Sequence, residues 1–201
     1  MKTIFYLTLF FLSHAIYSQA ASGRVIYNIK PISFKIADGI DPSTRNMLEQ
    51  SQLAAEKQSF ILEFSGAKSK FILKEVLIQE AVSAEAQFFN KIGSIRFTSS
   101  YDYFLDRDEK YELFKDNDGT LIKKKYTKID WKITPENKVI DGYLCYKAIY
   151  NKSYTARDNK TKINTIVAWF APALPYGFGP KEYNGTPGLI LELQEFDSVY
   201  Y

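Results

Sequence analysis

Two carboxylates, Asp141 and Glu192, stand in the stretches Asp141-Gly142-Tyr143-x-Cys145 and Gly188-Leu189-Ile190-Leu191-Glu192. A pair of carboxyl groups can run hydrolysis as acid and base, with no metal and no histidine. Glu192 alternates with Leu191 and Leu193, so a strand there turns it to solvent or onto loop amides. A second acidic group, Asp102, Asp106, Asp108 and Glu109, reads instead as a charged, solvated loop. Cys145 is the single cysteine. Lys147, two residues on, shares its strand face and could lower the thiol pKa. The competing reading of Cys145 is a small, core-lining residue.

Residue counts exclude much other chemistry. The single histidine, His14, falls in the leader described below. A Ser-His-Asp or Cys-His triad cannot then be built, nor a histidine-ligated zinc or iron centre. One cysteine excludes thiolate-cluster metals and an intramolecular disulfide. Ser65-Gly66-Ala67-Lys68 matches Ser-x-x-Lys, but it follows a strand and lacks the companion Ser-Asp-Asn and Lys-Thr-Gly elements. Asp116-x-Asp118-Gly119 has the look of a calcium loop, yet Phe114 and Lys125 stand where oxygen ligands belong, which makes it a turn. Gly177-x-Gly179 runs into Pro180, which lacks the amide a phosphate needs. These residues give no catalytic set, no cofactor site and no metal site.

The strongest claim to function lies in Trp169–Leu193. Four prolines (Pro172, Pro175, Pro180, Pro187) and four glycines (Gly177, Gly179, Gly185, Gly188) interrupt its aromatics. Proline fixes φ and removes a donor, while glycine permits positive φ, so regular structure waits until Gly188. The alternation Leu189, Leu191, Leu193 then reads as a buried strand. Trp169, Tyr176, Phe178 and Tyr183 on this stiffened backbone could form a pre-organised surface for a ligand or partner. The other reading is a plug that caps the open end of a sheet with its own aromatics. Tyr143, Tyr146, Tyr150 and Trp169 offer a second stacking surface, against the alternative of core and cross-strand pairs.

The elements that must position these groups are mostly strands. Gly23–Ile36 alternates apolar residues and bends or ends near Pro31. Asp41-Pro42 opens an amphipathic helix of about four turns, with Asp41 or Ser43 as N-cap. Phe60–Phe64 and Lys70–Leu77 make a hairpin across Ser65–Ser69. Residues 78–91 read as a short helix or an ordered loop. Strands follow at Ser94–Phe104, Tyr111–Phe114 and Leu121–Tyr126, with the basic run Lys123-Lys124-Lys125 as a solvated edge that discourages sheet-to-sheet pairing. Lys128–Ile133, a turn at Pro135-Glu136-Asn137, Val139–Tyr150 and Lys162–Phe170 form a meander. The fold class is α+β and mainly β: a twisted antiparallel sheet with one or two helices packed on it.

Lys2, the apolar Ile4–Leu12 run and Ser18-Gln19-Ala20 read as a secretory signal over residues 1–20, cut near Ala20. No other run approaches ~18 apolar residues, so no membrane span is expected after cleavage. Residues 21–201 form one domain, large enough to bury a core. The formal net charge is +3, including Lys2. That near balance argues against nucleic acid as a partner.

Gly185-Thr186-Pro187-Gly188-Leu189-Ile190 resembles the motif that names the GLPGLI family, secreted proteins of Bacteroidota-type bacteria, with Thr186 in place of leucine. Trp169, Pro172, Pro175, Gly179-Pro180 and Leu191-Glu192-Leu193 fit the same pattern. So do Gly142-Tyr143-x-Cys145-x-Lys147-Ala148 upstream. The likeness covers most of the chain beyond the leader. It implies a secreted or periplasmic setting, a polar helix after Asp41, and a structural role for Gly142, Cys145, Gly179, Pro180, Gly185, Pro187 and Gly188. The family has no established activity to carry over. Its members continue for further strands, so a truncated C-terminus, leaving a sheet edge or groove exposed, is one expectation for Phe196–Tyr201. The Gly-Tyr-x-Cys pattern also resembles, in strand order, the half-barrels of bacterial lipoprotein carriers. The reading is a non-catalytic envelope protein that binds an apolar small molecule or an extended peptide, or docks on an outer-membrane protein, through the Trp169–Tyr183 loop and the sheet face. The alternative is a metal-free, carboxylate-dependent hydrolase.

Overall fold

The computed structural model describes residues 22–32, 39–74, 83–98, 102–115, 119–156, 158–196 and 198–201. Among the described residues, eleven strands make one sheet: β1 (Ser22–Pro31), β2 (Ser59–Ser65), β3 (Lys68–Leu73), β4 (Asp102–Asp106), β5 (Tyr111–Lys115), β6 (Leu121–Lys125), β7 (Lys132–Ile140), β8 (Tyr143–Thr155), β9 (Thr161–Ala171), β10 (Leu189–Glu195) and β11 (Ser198–Tyr200). Their order across the sheet is β6-β5-β4-β3-β2-β1-β11-β10-β9-β8-β7, antiparallel throughout. Two helices, α1 (Pro42–Glu56) and α2 (Ala84–Phe97), pack on each other, and α1 packs on β1.

The order carries a geometric consequence. Laid flat, β6 and β7 would lie roughly 48 Å apart, ten steps of about 4.8 Å. Yet residues 126–131 join them, a reach of roughly 25 Å at full extension. The sheet must therefore roll until its two ends approach. β1 is the strand shared between the halves: Ser22–Asn28 pair with β2, and Ile29–Pro31 pair with β11. Pro31 is tolerated because it ends the strand, where a missing amide costs no ladder bond.

Period-two side chains fill the inside of the roll. Tyr27 and Ile29 from β1, Phe60, Leu62 and Phe64 from β2, and Ile166, Ala168 and Phe170 from β9 share one buried cluster. Phe60 and Phe71 stack at 5.1 Å, and Tyr200 meets both edge-on at 5.9 and 6.1 Å. Each such buried side chain contributes on the order of 2 kcal/mol. The helices are fastened at their ends and at one close approach. Asp41 caps α1 by accepting from the Thr44 amide at 3.0 Å, with Pro42 opening the first turn. Gly93 of α2 lies against α1 so closely that a Cβ there would stand 2.6 Å from the Ser51 carbonyl oxygen.

Several expectations are corrected. Ser94–Phe97 belongs to α2, not to a strand, because Gly93 and Phe97 are the buried contacts of a helix whose N-cap is Ser83. Pro135-Glu136-Asn137 is no turn: β7 runs through it with a register shift between Ile133 and Asn137, which an edge strand accommodates. The turn falls instead at Asp141 (φ 48°) and Gly142 (φ 81°), splitting Val139–Tyr150 into two strands. The positive φ pair suits a tight hairpin, and Gly142 meets it without strain. β11 lies inside the sheet, between β1 and β10. Lys123, Lys124 and Lys125 do sit on β6, at one end of the strand order. The leader 1–20, residues 33–36 of the first predicted strand, residues 75–82, and Asp116–Asp118 lie outside the described residues.

Candidate functional site: the proline loop and the cleft beneath it

The loop between β9 and β10 folds inward across the roll. Its glycines are demanded by proximity. A Cβ on Gly188 would stand 2.1 Å from the Ala171 carbonyl oxygen, one on Gly177 2.5 Å from that of Thr186, and one on Gly179 2.6 Å from the Ile190 side chain. Gly185 holds φ 91°, a left-handed conformation. The loop satisfies its own backbone. Gly185 N donates to Gly177 O at 2.8 Å, Leu189 N to Leu174 O at 2.8 Å, and Ile190 N to Phe178 O at 3.0 Å. Thr186 is buried, and its hydroxyl donates to Gly188 O at 2.7 Å. Pro180 is fully buried, whereas Pro187 is exposed.

The aromatics face inward, which corrects the surface expectation. Phe178 (2% exposed) and Tyr183 (0%) are core residues. Phe64 is the anvil for the loop, with Phe178 at 5.3 Å and Tyr176 at 4.9 Å. Arg107, from the turn after β4, lies over Phe178 at 3.9 Å and donates to the Gly177 carbonyl. Trp169 points to the opposite sheet face, pairing with Lys147 and Glu192, with the Lys138 ammonium 4.5 Å from its ring. The loop is a plug. Tyr143 and Trp169 also share one face while Tyr146 and Tyr150 share the other, so no common stacking surface forms.

The plug is tied down by charge. Lys181 Nζ sits 2.6 Å from Glu195 Oε2, and the Tyr183 hydroxyl donates to Glu195 Oε1. Lys152 Nζ on β8 meets Glu182 Oε1 at 2.8 Å and the Tyr183 hydroxyl at 3.4 Å. Burial opposes the charges of Lys152, Lys181 and Glu182, and the neighbours overcome it. Lys152 is held above its ordinary pKa by Glu182 and Glu195, and Glu182 below its own by Lys152. Burial, reinforced by Glu195, pushes the Tyr183 hydroxyl up, so it remains a donor. Asn184 then fastens the 126–131 connection. Its side-chain oxygen accepts from the Tyr126 hydroxyl at 2.9 Å, and its carbonyl accepts from Trp131 Nε1 at 2.9 Å.

Beneath this fastening lies a cleft of about 230 Å³, lined by Glu112, Lys124, Lys125, Thr127, Ile129, Tyr150, Lys152, Glu182 and Tyr183. It forms because the roll brings β5 and β6 against β8, with the loop as the floor. Glu112 pairs with Lys124 at 3.0 Å. Both carboxylates also border a small inner cavity beside Lys181 and Asn184. Of the lining residues, the sequence marks only Tyr150 and Tyr183 as candidates; Glu112, Thr127, Ile129, Lys152 and Glu182 carry no such signal, because they lie in separate segments that only the fold brings together.

The other candidates do not assemble. Both oxygens of Glu192 accept from Lys138, at 2.8 and 2.7 Å, while Asp141 is exposed at its turn. Cys145 is buried, burial raises its pKa, and Lys147 is engaged by Glu136 at 2.8 Å. Asp106, read as part of an exposed loop, is 1% exposed. It accepts from the Asp108 and Glu109 amides at 3.1 and 3.0 Å and pairs with Lys68 at 3.0 Å. Leu189 and Ile190 are both buried and Leu191 half-buried, because a bulge after Ile190 breaks the expected alternation. Among the described residues, no group of three or more His, Cys, Asp or Glu could hold a metal ion.

The fold defines a mainly-β α+β protein with a rolled sheet and a plugged interior. A family model described as a protein of unknown function (Porph_ging) matches residues 155–192, which include β9, the plug and the start of β10. No curated protein matches the sequence. The solved structure of PNGF-II is similar at 17% identity and a TM-score of 0.49, over 91% of this chain and 27% of that one. This chain thus spans about a quarter of the PNGF-II chain, and a likeness at this level carries no argument about activity. Among the described residues, no helix is long and apolar enough to cross a membrane.

Proposed function

We propose that this protein is a non-catalytic, secreted or periplasmic member of the GLPGLI type that binds a small polar ligand in the cleft beneath its proline loop. The leader at residues 1–20 and the Gly185–Ile190 motif support the setting and the membership. The observation that carries the binding reading is the cleft itself, polar and lined by charges of both signs, with the loop as its floor. The loop aromatics are spent on the core, so the ligand site moves from their exposed face to the cleft that the loop supports. A carboxylate hydrolase is disfavoured there. A general acid needs a raised pKa, and Lys152 holds Glu182 down. Native mass spectrometry on protein purified gently from the host envelope tests the reading. A polar small molecule should be released on denaturation and be lost from Lys152→Met. A bare mass in the parent protein would overturn it.

Docking on an outer-membrane partner is a second reading, and one observation favours it. At the β7–β8 hairpin tip, Val139 (67% exposed) and Leu144 (48%) carry the inner, apolar face of the sheet past the core into solvent. Crosslinking from position 139 in the intact envelope tests it. Capture of one membrane protein supports docking, and no product there contradicts it.

A further inference from the structure

We infer that the β8–β9 hairpin is a dimerisation arm: the open edge of β9 at Thr161–Thr165 pairs antiparallel with the same edge of a second copy of this chain. The inference is independent of the cleft. Both neighbouring strands stop short of the arm. β7 pairs with β8 only as far as Ile149, and β10 pairs with β9 only as far as Val167. Beyond those points Asn151–Thr155 and Thr161–Thr165 pair only with each other among the described residues. A two-stranded ribbon is marginal by itself and gains from a further strand.

The direction of the backbone follows from the hairpin tip. Ala156 N donates to Lys160 O at 2.9 Å, in the same register as the ladder that follows. Antiparallel pairs alternate between bonded and non-bonded, so Lys162 and Asn164 spend their amides and carbonyls on β8. Those of Thr161, Ile163 and Thr165 point to the open edge. All three residues are exposed, Ile163 at 65%. The strands at the two ends of the sheet are defended against pairing: β6 carries Lys123-Lys124-Lys125, and β7 carries Pro135 and a register shift. The β8 side of the arm offers Asn151 and Ser153, poor strand formers, whereas the β9 side offers three β-branched residues.

This edge is also self-complementary, which points to a second copy as its occupant. A twofold axis at Ile163 sets Ile163 against itself and Thr161 against Thr165 of the second copy, each pair exchanging both main-chain bonds. Between them Lys162 meets Asn164, so no like charges face each other. Moving the axis to Lys162 would set that lysine against itself, which is destabilising, so charge selects the register. The edge spans about 17 Å, which makes the dimer a weak and transient one.

Sedimentation of residues 21–201, over concentrations rising to the millimolar, tests the inference together with cysteine crosslinking. A monomer–dimer equilibrium should appear, and Ile163→Lys should weaken it at least about tenfold while leaving the far-ultraviolet spectrum unchanged. Ile163→Cys should form an intermolecular disulfide under mild oxidation, because a bonded antiparallel pair holds its Cα atoms about 5.5 Å apart, within disulfide range. Thr165→Cys alone should not, because its counterpart then lies about 14 Å away along the strand. A monomer at every concentration, a dimer indifferent to Ile163→Lys, or a Thr165→Cys crosslink as efficient as that of Ile163→Cys overturns the inference. So does an Ile163→Cys crosslink, in intact cells, to a different protein.

Discussion

Lys152 of β8 and Glu182 of the proline loop meet 2.8 Å apart, and this contact joins the plug to the wall of the cleft. Glu182 is held below its ordinary value of 4.5 while folded. A depressed carboxylate contributes stability that is present above the unfolded pKa and is lost as pH falls through the folded one. The melting temperature should therefore drop as pH falls below about 4.5, and Glu182→Gln should flatten part of that drop. Thermal scans from pH 7 to 3 on both proteins check this. Parallel curves would show that the pair does not contribute.

Gly188→Ala places a methyl group 2.1 Å from the Ala171 carbonyl oxygen and 2.5 Å from its carbon, both backbone atoms of β9. Nothing flexible can yield. The loss should reach about 3 kcal/mol, the upper part of the usual cost of overpacking. Gly142→Ala meets no atom within 4 Å and is strained only by φ 81°, so about 1 kcal/mol is expected. Urea unfolding of the two variants separates crowding from backbone strain.

Arg107→Met removes a half-buried guanidinium from the Phe178 ring and from the Gly177 carbonyl. A desolvated cation over an aromatic ring and one hydrogen bond together predict a loss of about 2 kcal/mol. The aromatic near-ultraviolet signal should weaken with it, because Phe178 and Tyr176 both lean on Phe64.

How much of this was legible depends on the range of the forces involved. The Asp41 cap and Pro42 act locally, and the helix after them reads directly from the sequence. The hairpin at Gly66 does so too. The prolines and glycines of 172–188 announce a shaped loop, but not which way its aromatics face. That is decided by the roll of the sheet, which follows from the short 126–131 connection once the strand order is known. Ser94–Phe97, the tail of α2, fits either period, and Gly93 packing on Ser51 decides it. The cleft was invisible for a related reason. Lys124 and Lys125 read as a protective edge, and only folding sets Lys152 and Glu182 across from them.

Amide chemical-shift mapping of residues 21–201, titrated with the small polar molecules extracted from the source cells, tests the central claim most directly. The account predicts shifts concentrated at Lys124, Lys125, Thr127, Tyr150, Lys152 and Glu182, and their loss in Lys152→Met. Shifts confined to the hairpin at 139–144, or none anywhere, would contradict it.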